Sequence, residues 1–442
     1  MELIDKIILP QSAQHLLLLK YILVLTFILF ISYASLLFGS FILSIIFEQK
    51  SKKQNNLTYK KVSIELIDLI TFNKGIAFSL GIIPLLSSAF CYAQLLHLSG
   101  LIVTEAIFIS TFLFFLALIS IYTYKHAIHI KNALDVVKDY NPDGSESDVR
   151  NYLLKSSKII NASKILGLIF ILLSTYLFIA SVEFTQNPEK WTNSNNYSGV
   201  IFSFNAFINY IQFILISLGF TSLIILTKNR QAIEQEESYK NFIHNFSLKL
   251  GLISTITLPV IITITVITKS KYSLSYNLFS FTLIALILIL FVSILLYVML
   301  KQGKINYNFI SILLFVLIIA FLIIKDQYAF NIAAKKQFVQ LAANYESYQK
   351  KLLEETGLLK ETISGEEIFN SKCIACHQFD KKVVGPPYNE VLPKYEGKMD
   401  ELINFILNPV KVNPDYPSMP NQGLKPKEAE AVANYIMNTY KK

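Results

Sequence analysis

Residues 21–47 read YILVLTFILFISYASLLFGSFILSIIF, a run without one charged side chain. As a helix rising 1.5 Å per residue it is about 40 Å long, more than the ~30 Å hydrocarbon core of a bilayer. Only a helix can place such a run in lipid, because its backbone N–H and C=O groups then bond within the segment. Seven further apolar runs are long enough to span: 75–97, 101–124, 165–182, 200–227, 249–268, 277–300 and 308–324. The third holds one charged residue, Glu105, and two spans contain a proline, Pro84 and Pro259, which membrane helices tolerate.

Composition agrees with a chain that lives mostly in lipid. Hydrophobic residues make up 53% and charged residues 16%, against roughly 45–50% and 25% in soluble domains. Mean hydropathy is +0.46. The net charge of +9 lies in the loops, while residues 361–442 carry 10 Lys against 11 Asp and Glu. The excess therefore reads as membrane-topology charge, and a nucleic-acid partner is excluded.

The connections 48–64, 125–164, 228–248 and 301–307 hold most of the loop Lys and Arg. The opposite set, 1–20, 98–100, 183–199 and 269–276, holds five, fewer than a third as many. The basic set is expected to face the cytoplasm, so an even number of spans puts both termini outside, with Trp191 as an outer interfacial anchor. The N-terminus lacks the basic region and small-residue cleavage site of a removable signal, so the first span is expected to persist.

The chain divides into a membrane part (1–325), a linker (326–360) and a C-terminal domain (361–442). The linker reads as a polar helix with an apolar stripe at Ile332, Phe338, Leu341, Tyr345 and Leu352, capped at Gly357. Eight of the thirteen prolines fall between Pro386 and Pro426, marking a small, loop-rich fold.

Of three cysteines, Cys91 lies in an apolar run, which leaves no pair for a disulfide framework beside Cys373 and Cys376. Cys373-Ile374-Ala375-Cys376-His377 has the C-x-x-C-H spacing of covalent haem attachment. Two thiols about one helical turn apart reach the two vinyl groups on one porphyrin edge, and the next residue offers an imidazole to the iron. Zinc would need a second ligand pair, and His377 is the last histidine. A thioredoxin-type motif would need a β-α-β context that the segment lacks.

The surrounding residues resemble the single-haem class I cytochrome c family over about residues 361–442. Gly365-Glu-Glu-Ile-Phe369 is similar to that family's first helix, and Val384-Gly385-Pro386 to the loop whose proline carbonyl orients the axial histidine. Tyr416-Pro-Ser-Met419-Pro is similar to the loop carrying the sixth iron ligand, and 425–440 to the C-terminal helix, with Tyr435 set to pack on Phe369. The resemblance implies one haem c, held by Cys373 and Cys376, with His377 and Met419 as axial ligands and Pro386 supporting the imidazole. Met399 and Met437 compete with Met419, but both sit in helical stretches where core packing explains them. The family attaches its haem outside the cytoplasmic membrane, the side to which the loop charges independently send the C-terminus.

The membrane part offers fewer signals. His15, His97 and Glu105 fall at the outer ends of spans, where two histidines could hold a haem b or line a quinol pocket and a carboxylate could take a proton. His126, His129 and His244 fall on the cytoplasmic side. No span carries a mid-depth histidine, so haem b is not expected. Leu25-Thr-Phe-Ile-Leu-Phe30 with Gly39 and Glu48, then NKGIAFSLGIIP and TEAIFISTFLFF, is similar to the first helices of subunit I of cytochrome bd-type quinol oxidases. That family's haem-ligating histidine falls at Phe30 here.

The fold expected is all-α: an eight-helix transmembrane bundle, a stalk helix and a small all-α cytochrome c domain. The expected role is a single-electron carrier on the outer face of a bacterial cytoplasmic membrane, working between respiratory partner proteins or as a subunit of a respiratory complex. The alternative is a quinol-oxidising subunit that passes electrons to its own haem c.

Overall fold

A computed structural model describes residues 10–99, 101–140, 146–193, 197–231, 237–303, 305–356 and 363–440. Every regular element among these residues is helical. The chain forms two compact units, Met1–Tyr348 and Gln349–Lys442.

In the first unit α1 (Ala13–Gln54) carries the charge-free run. Its first turn is capped by Ser12, whose Oγ accepts the His15 N–H at 3.1 Å, and Asn55 in the left-handed region (φ 48°) ends it. A short amphipathic helix α2 (Leu57–Ile70) follows. The remaining spans are α3 (Lys74–Leu95), α4 (Val103–Tyr140), α5 (Glu146–Thr185), α6 (Phe204–Gln231), α7 (Glu237–Ile267), α8 (Tyr276–Gln302) and α9 (Asn308–Ala333). With α1, that makes eight described helices long and apolar enough to cross a membrane. The protein is a multi-pass membrane protein.

Pro84 and Pro259 both lie inside helices, and Pro84 follows a π-helical turn, Phe78–Ile82, that loosens the backbone ahead of it. Small polar residues hold helix pairs together. Ser110 and Ser174 each donate to the other's carbonyl at 2.9 Å, joining α4 to α5, and Ser44 and Ser63 do the same for α1 and α2 at 2.7 and 2.8 Å. In lipid these bonds replace the hydrophobic drive that is missing between apolar helices. Phe30 is 1% exposed, its ring packed edge-on against Phe114 and Phe178 at 5.3 and 4.7 Å, so aromatic core surrounds this position.

The linker is shorter than the polar composition from residue 326 indicates. Helix α9 continues to Ala333, and α10 (Lys335–Glu355) follows almost at once. Of the predicted stripe, Phe338 and Leu341 are buried in the same core as the spans, with the Lys20 ammonium 3.7 Å above the Phe338 ring, while Ile332 before them is exposed. Leu352, at the upper end, is exposed. Phe338 and Leu341 are apolar because they pack on the bundle, and residues 326–348 belong to the first unit. Gly357 lies outside the described residues.

The second unit is built from α11 (Gly365–Ile368), extended by a π-helical turn over Phe369–Cys373, then α12 (Met399–Leu407) and α13 (Pro426–Tyr440). Its core joins Phe369, Leu392, Leu402, Ile406, Val432, Ile436 and Met437. Helix α11 crosses α13 at Gly365, whose missing side chain lets the Ala431 backbone approach. Phe369 and Tyr435 meet as expected, with ring centroids 5.5 Å apart.

Candidate functional site

Ser364 caps α11 by accepting the Glu367 N–H at 3.2 Å, which starts a helix aimed at the cysteine motif. The π-helical turn closes with Ile374 N–H donating to Phe369 O at 2.9 Å, and the Cys376 and His377 amides then both donate to Cys373 O. Such widened turns recur where a helix must re-aim side chains at functional sites. Cys373 is buried, while Cys376 and His377 are half-buried beside it. Burial pushes the Cys373 thiol pKa up, and the neighbouring Cys376 adds to the effect.

The loop 383–389 is bonded onto this motif. Gly385 N–H donates to Cys376 O at 2.9 Å, and Tyr388 N–H to Gln378 O at 3.0 Å. That brings Pro386 O to 3.0 Å from His377 Nδ1. A carbonyl can only accept, so Nδ1 carries the proton and Nε2 keeps its lone pair for a metal. Tyr388 stacks on the imidazole at 5.0 Å and 23°, and burial holds its hydroxyl neutral by raising its pKa.

Gly385 must be glycine for a packing reason. A Cβ there would overlap His377 Cε1 and come within 2.8 Å of both ring nitrogens. Gly385→Ala is therefore expected to tilt the imidazole and break its bond to Pro386 O. The measurement is the low-spin haem spectrum, and a wild-type spectrum with an unshifted potential would count against this contact.

A cavity of about 270 Å³ opens beside the motif, lined by Cys373, His377, Pro386, Leu402, Ile406 and Met419, with Lys394 and Lys411 among its polar walls. Met419 and His377 also line an adjoining cavity of about 70 Å³ that Cys376 shares. Met437 is 3% exposed within the core and Met399 packs against that core; neither lines the cavities. The donor set thus comprises two thiols on one helical turn, one imidazole with a free nitrogen and one thioether, around a largely apolar space. It fits a covalently attached haem. Among the described residues no further His, Cys, Asp or Glu joins them to make a four-ligand zinc cage.

In the bundle, His15 is exposed in the first turn of α1, while His97 and Glu105 are half-buried on either side of the α3–α4 connection. The larger polar feature is one that sequence reasoning missed. Asp326 accepts from Lys269 and Lys325 Nζ, each at 2.7 Å, and the Lys325 side chain is fully buried. Glu183, also buried, accepts from Asn187 Nδ2 and from Ser203 Oγ (3.3 Å), with Lys190 Nζ at 3.9 Å. Both carboxylates line a cavity of about 80 Å³ among α1, α5, α6 and α9.

The profile of the family described as cytochrome c matches residues 363–439. Cytochrome c-551 of Pseudomonas denitrificans is 38% identical over 78 residues, which is 17% of this chain and 95% of that protein. Cytochrome c-552 of Hydrogenobacter thermophilus is 33% identical over 88 residues, 19% of this chain and 88% of that protein. Cytochrome c-551 of Azotobacter vinelandii is 33% identical over 78 residues, 17% and 95% of the two chains. No solved structure is significantly similar to the chain.

Proposed function

Because its residues 363–439 belong to the cytochrome c family, we propose that this chain is a membrane-anchored carrier of single electrons between respiratory proteins at the outer face of a bacterial cytoplasmic membrane. The observation that carries the reading is that Cys373, His377 and Met419 border both of two adjoining cavities, the smaller of which Cys376 also lines. Bound there, haem supplies a one-electron iron couple. In this reading Cys373 and Cys376 hold it through thioether bonds, His377 Nε2 binds the iron, and Pro386 O keeps the ring oriented. Met419 would supply the iron with a thioether, which would raise the potential and disfavour oxygen chemistry.

The eight spans give this domain an address. Tethering through the residues beyond Tyr348 raises its effective concentration near partners in the same membrane. The outer placement is supported by the loop charges, with the basic connections on the cytoplasmic side.

Purified from a host that matures such cytochromes, the protein is expected to carry one haem per chain, reducible by ascorbate and reoxidised by ferricyanide, with a spectrum unmoved by carbon monoxide. Rapid carbon monoxide binding would reveal an open iron position and contradict the carrier role. Protease added to intact spheroplasts is expected to cut the C-terminal unit. Full protection would reverse the orientation.

A further inference from the structure

At the end of the bundle that carries the basic connections, a cavity of about 430 Å³ opens among α1, α2, α4 and α5. That size falls within the ~300–1,000 Å³ of small-molecule sites, and the electron-carrier role has no use for it. The charged side chains on its walls are Lys52, Lys60 and Lys131 against Glu48 and Asp135. Glu48 is already held by Lys52 and by Lys164, whose Nζ lies 3.1 Å from its carboxylate. Asp135 meets Lys60 only at 3.8 Å, and both side chains are exposed, so water screens the pair and it contributes little. Lys131 is half-buried and has no ion pair or hydrogen bond among the described residues, and the half-buried Asn132 beside it has no bonded partner for its amide. A partly desolvated ammonium without a counter-charge is costly, so the uncommitted groups of this cavity favour an anion that also accepts hydrogen bonds.

The rest of the wall decides what kind of anion. Leu57 and Ile64 of α2 line the same cavity as the lysines, and Leu57 is 80% exposed at its rim. Helix α2 buries Val62, Leu66 and Ile67 against the bundle and turns Lys60 and Lys61 outward, the arrangement of a helix lying in the plane of a membrane interface. A small soluble anion would satisfy Lys131 and leave Leu57 in water. A phosphodiester joined to acyl chains would satisfy both, and basic pockets between membrane helices take anionic head groups for this reason.

We propose that this cavity binds the head group of an anionic phospholipid, its phosphate taken by the Lys131 ammonium and the Asn132 amide, with its acyl chains leaving past Leu57. The site goes beyond the electron-carrier reading, because it lies wholly within the first unit and needs no haem.

The test is native mass spectrometry of the full chain in detergent, incubated with phosphatidylglycerol or with phosphatidylcholine of the same acyl chains. One phosphatidylglycerol per chain is expected to be retained, at least tenfold more tightly than phosphatidylcholine. Lys131→Gln should weaken that binding at least fivefold, whereas Lys301→Gln, which removes an exposed lysine from another basic connection outside this cavity, should leave it unchanged. If Lys131→Gln does not fold, Asn132→Asp, which sets a carboxylate against the phosphate, is expected to weaken binding in its place. Equal retention of the two lipids, or binding indifferent to the folded cavity variants, overturns the proposal. Displacement of the lipid by an equal concentration of glycerol 3-phosphate also overturns it, since the site would then be one for a soluble phosphate. Haem content measured on the same samples keeps any of these failures distinct from failure of the carrier reading.

Discussion

Met419→Ala is expected to abolish the sulfur-to-iron charge-transfer band and lower the midpoint potential, while the haem stays covalently attached. Met419 lines both cavities that border His377, so it is the methionine that would offer a sulfur to a haem iron held there. Removing it leaves a weaker or exchangeable ligand, and the oxidised state gains relative to the reduced one. The other two candidates should respond in a different currency. Met437 is 3% exposed in the core, so Met437→Ala should cost about 2–5 kcal/mol of stability with the band retained. Met399, on the edge of that core, should cost less. A band that survives Met419→Ala and vanishes in either of the others would transfer the ligand role.

Gly365→Ala is expected to lower the unfolding midpoint of the C-terminal unit by roughly 12–24 °C, followed at the haem absorbance. A Cβ at this position would overlap Ala431 O and come within 2.6 Å of its carbon and 2.8 Å of Tyr435 Cβ. Two of these three atoms are backbone, so the helices must separate rather than a side chain rotate. Overpacking of this kind costs about 3 kcal/mol at the upper end of its usual range, and each kcal/mol moves the midpoint of a small domain by about 4–8 °C. The separation would also disturb the Phe369–Tyr435 contact that precedes the cysteine turn. A midpoint within a few degrees of wild type would show that the crossing is looser than its geometry.

The spans were legible because lipid enforces one rule on every residue of a run, and 21–47 obeys it without exception. Their ends were less so. Hydropathy stops a span at its first charge, which put Glu183, Lys325 and Asp326 just outside the runs 165–182 and 308–324. The structure keeps all three within helices α5 and α9, the two carboxylates facing one cavity. Charge pairing makes that placement affordable, and a pair such as Lys269–Asp326, 57 residues apart, leaves no local trace in sequence. The apolar stripe after residue 327 was visible, but periodicity does not say what covers it. Phe338 packs on the bundle, and Leu352 is exposed.

In the C-terminal unit the C-x-x-C-H spacing is local chemistry and could be read directly. Met419 emerged because its competitors lie in helices with their own apolar faces. The need for glycine at 385 was not readable, since it arises from a contact with His377 across a loop. Gln212 was equally silent. Its side-chain Oε1 is buried without a hydrogen-bond partner, which only the packed structure can display.

The most direct test is the intact mass of the chain purified from cells that attach haem to C-x-x-C-H sites. The prediction is a polypeptide heavier by one haem, with the added mass on the peptide containing Cys373 and Cys376 and retained after acid–organic extraction. A chain of unmodified mass from such cells would contradict it.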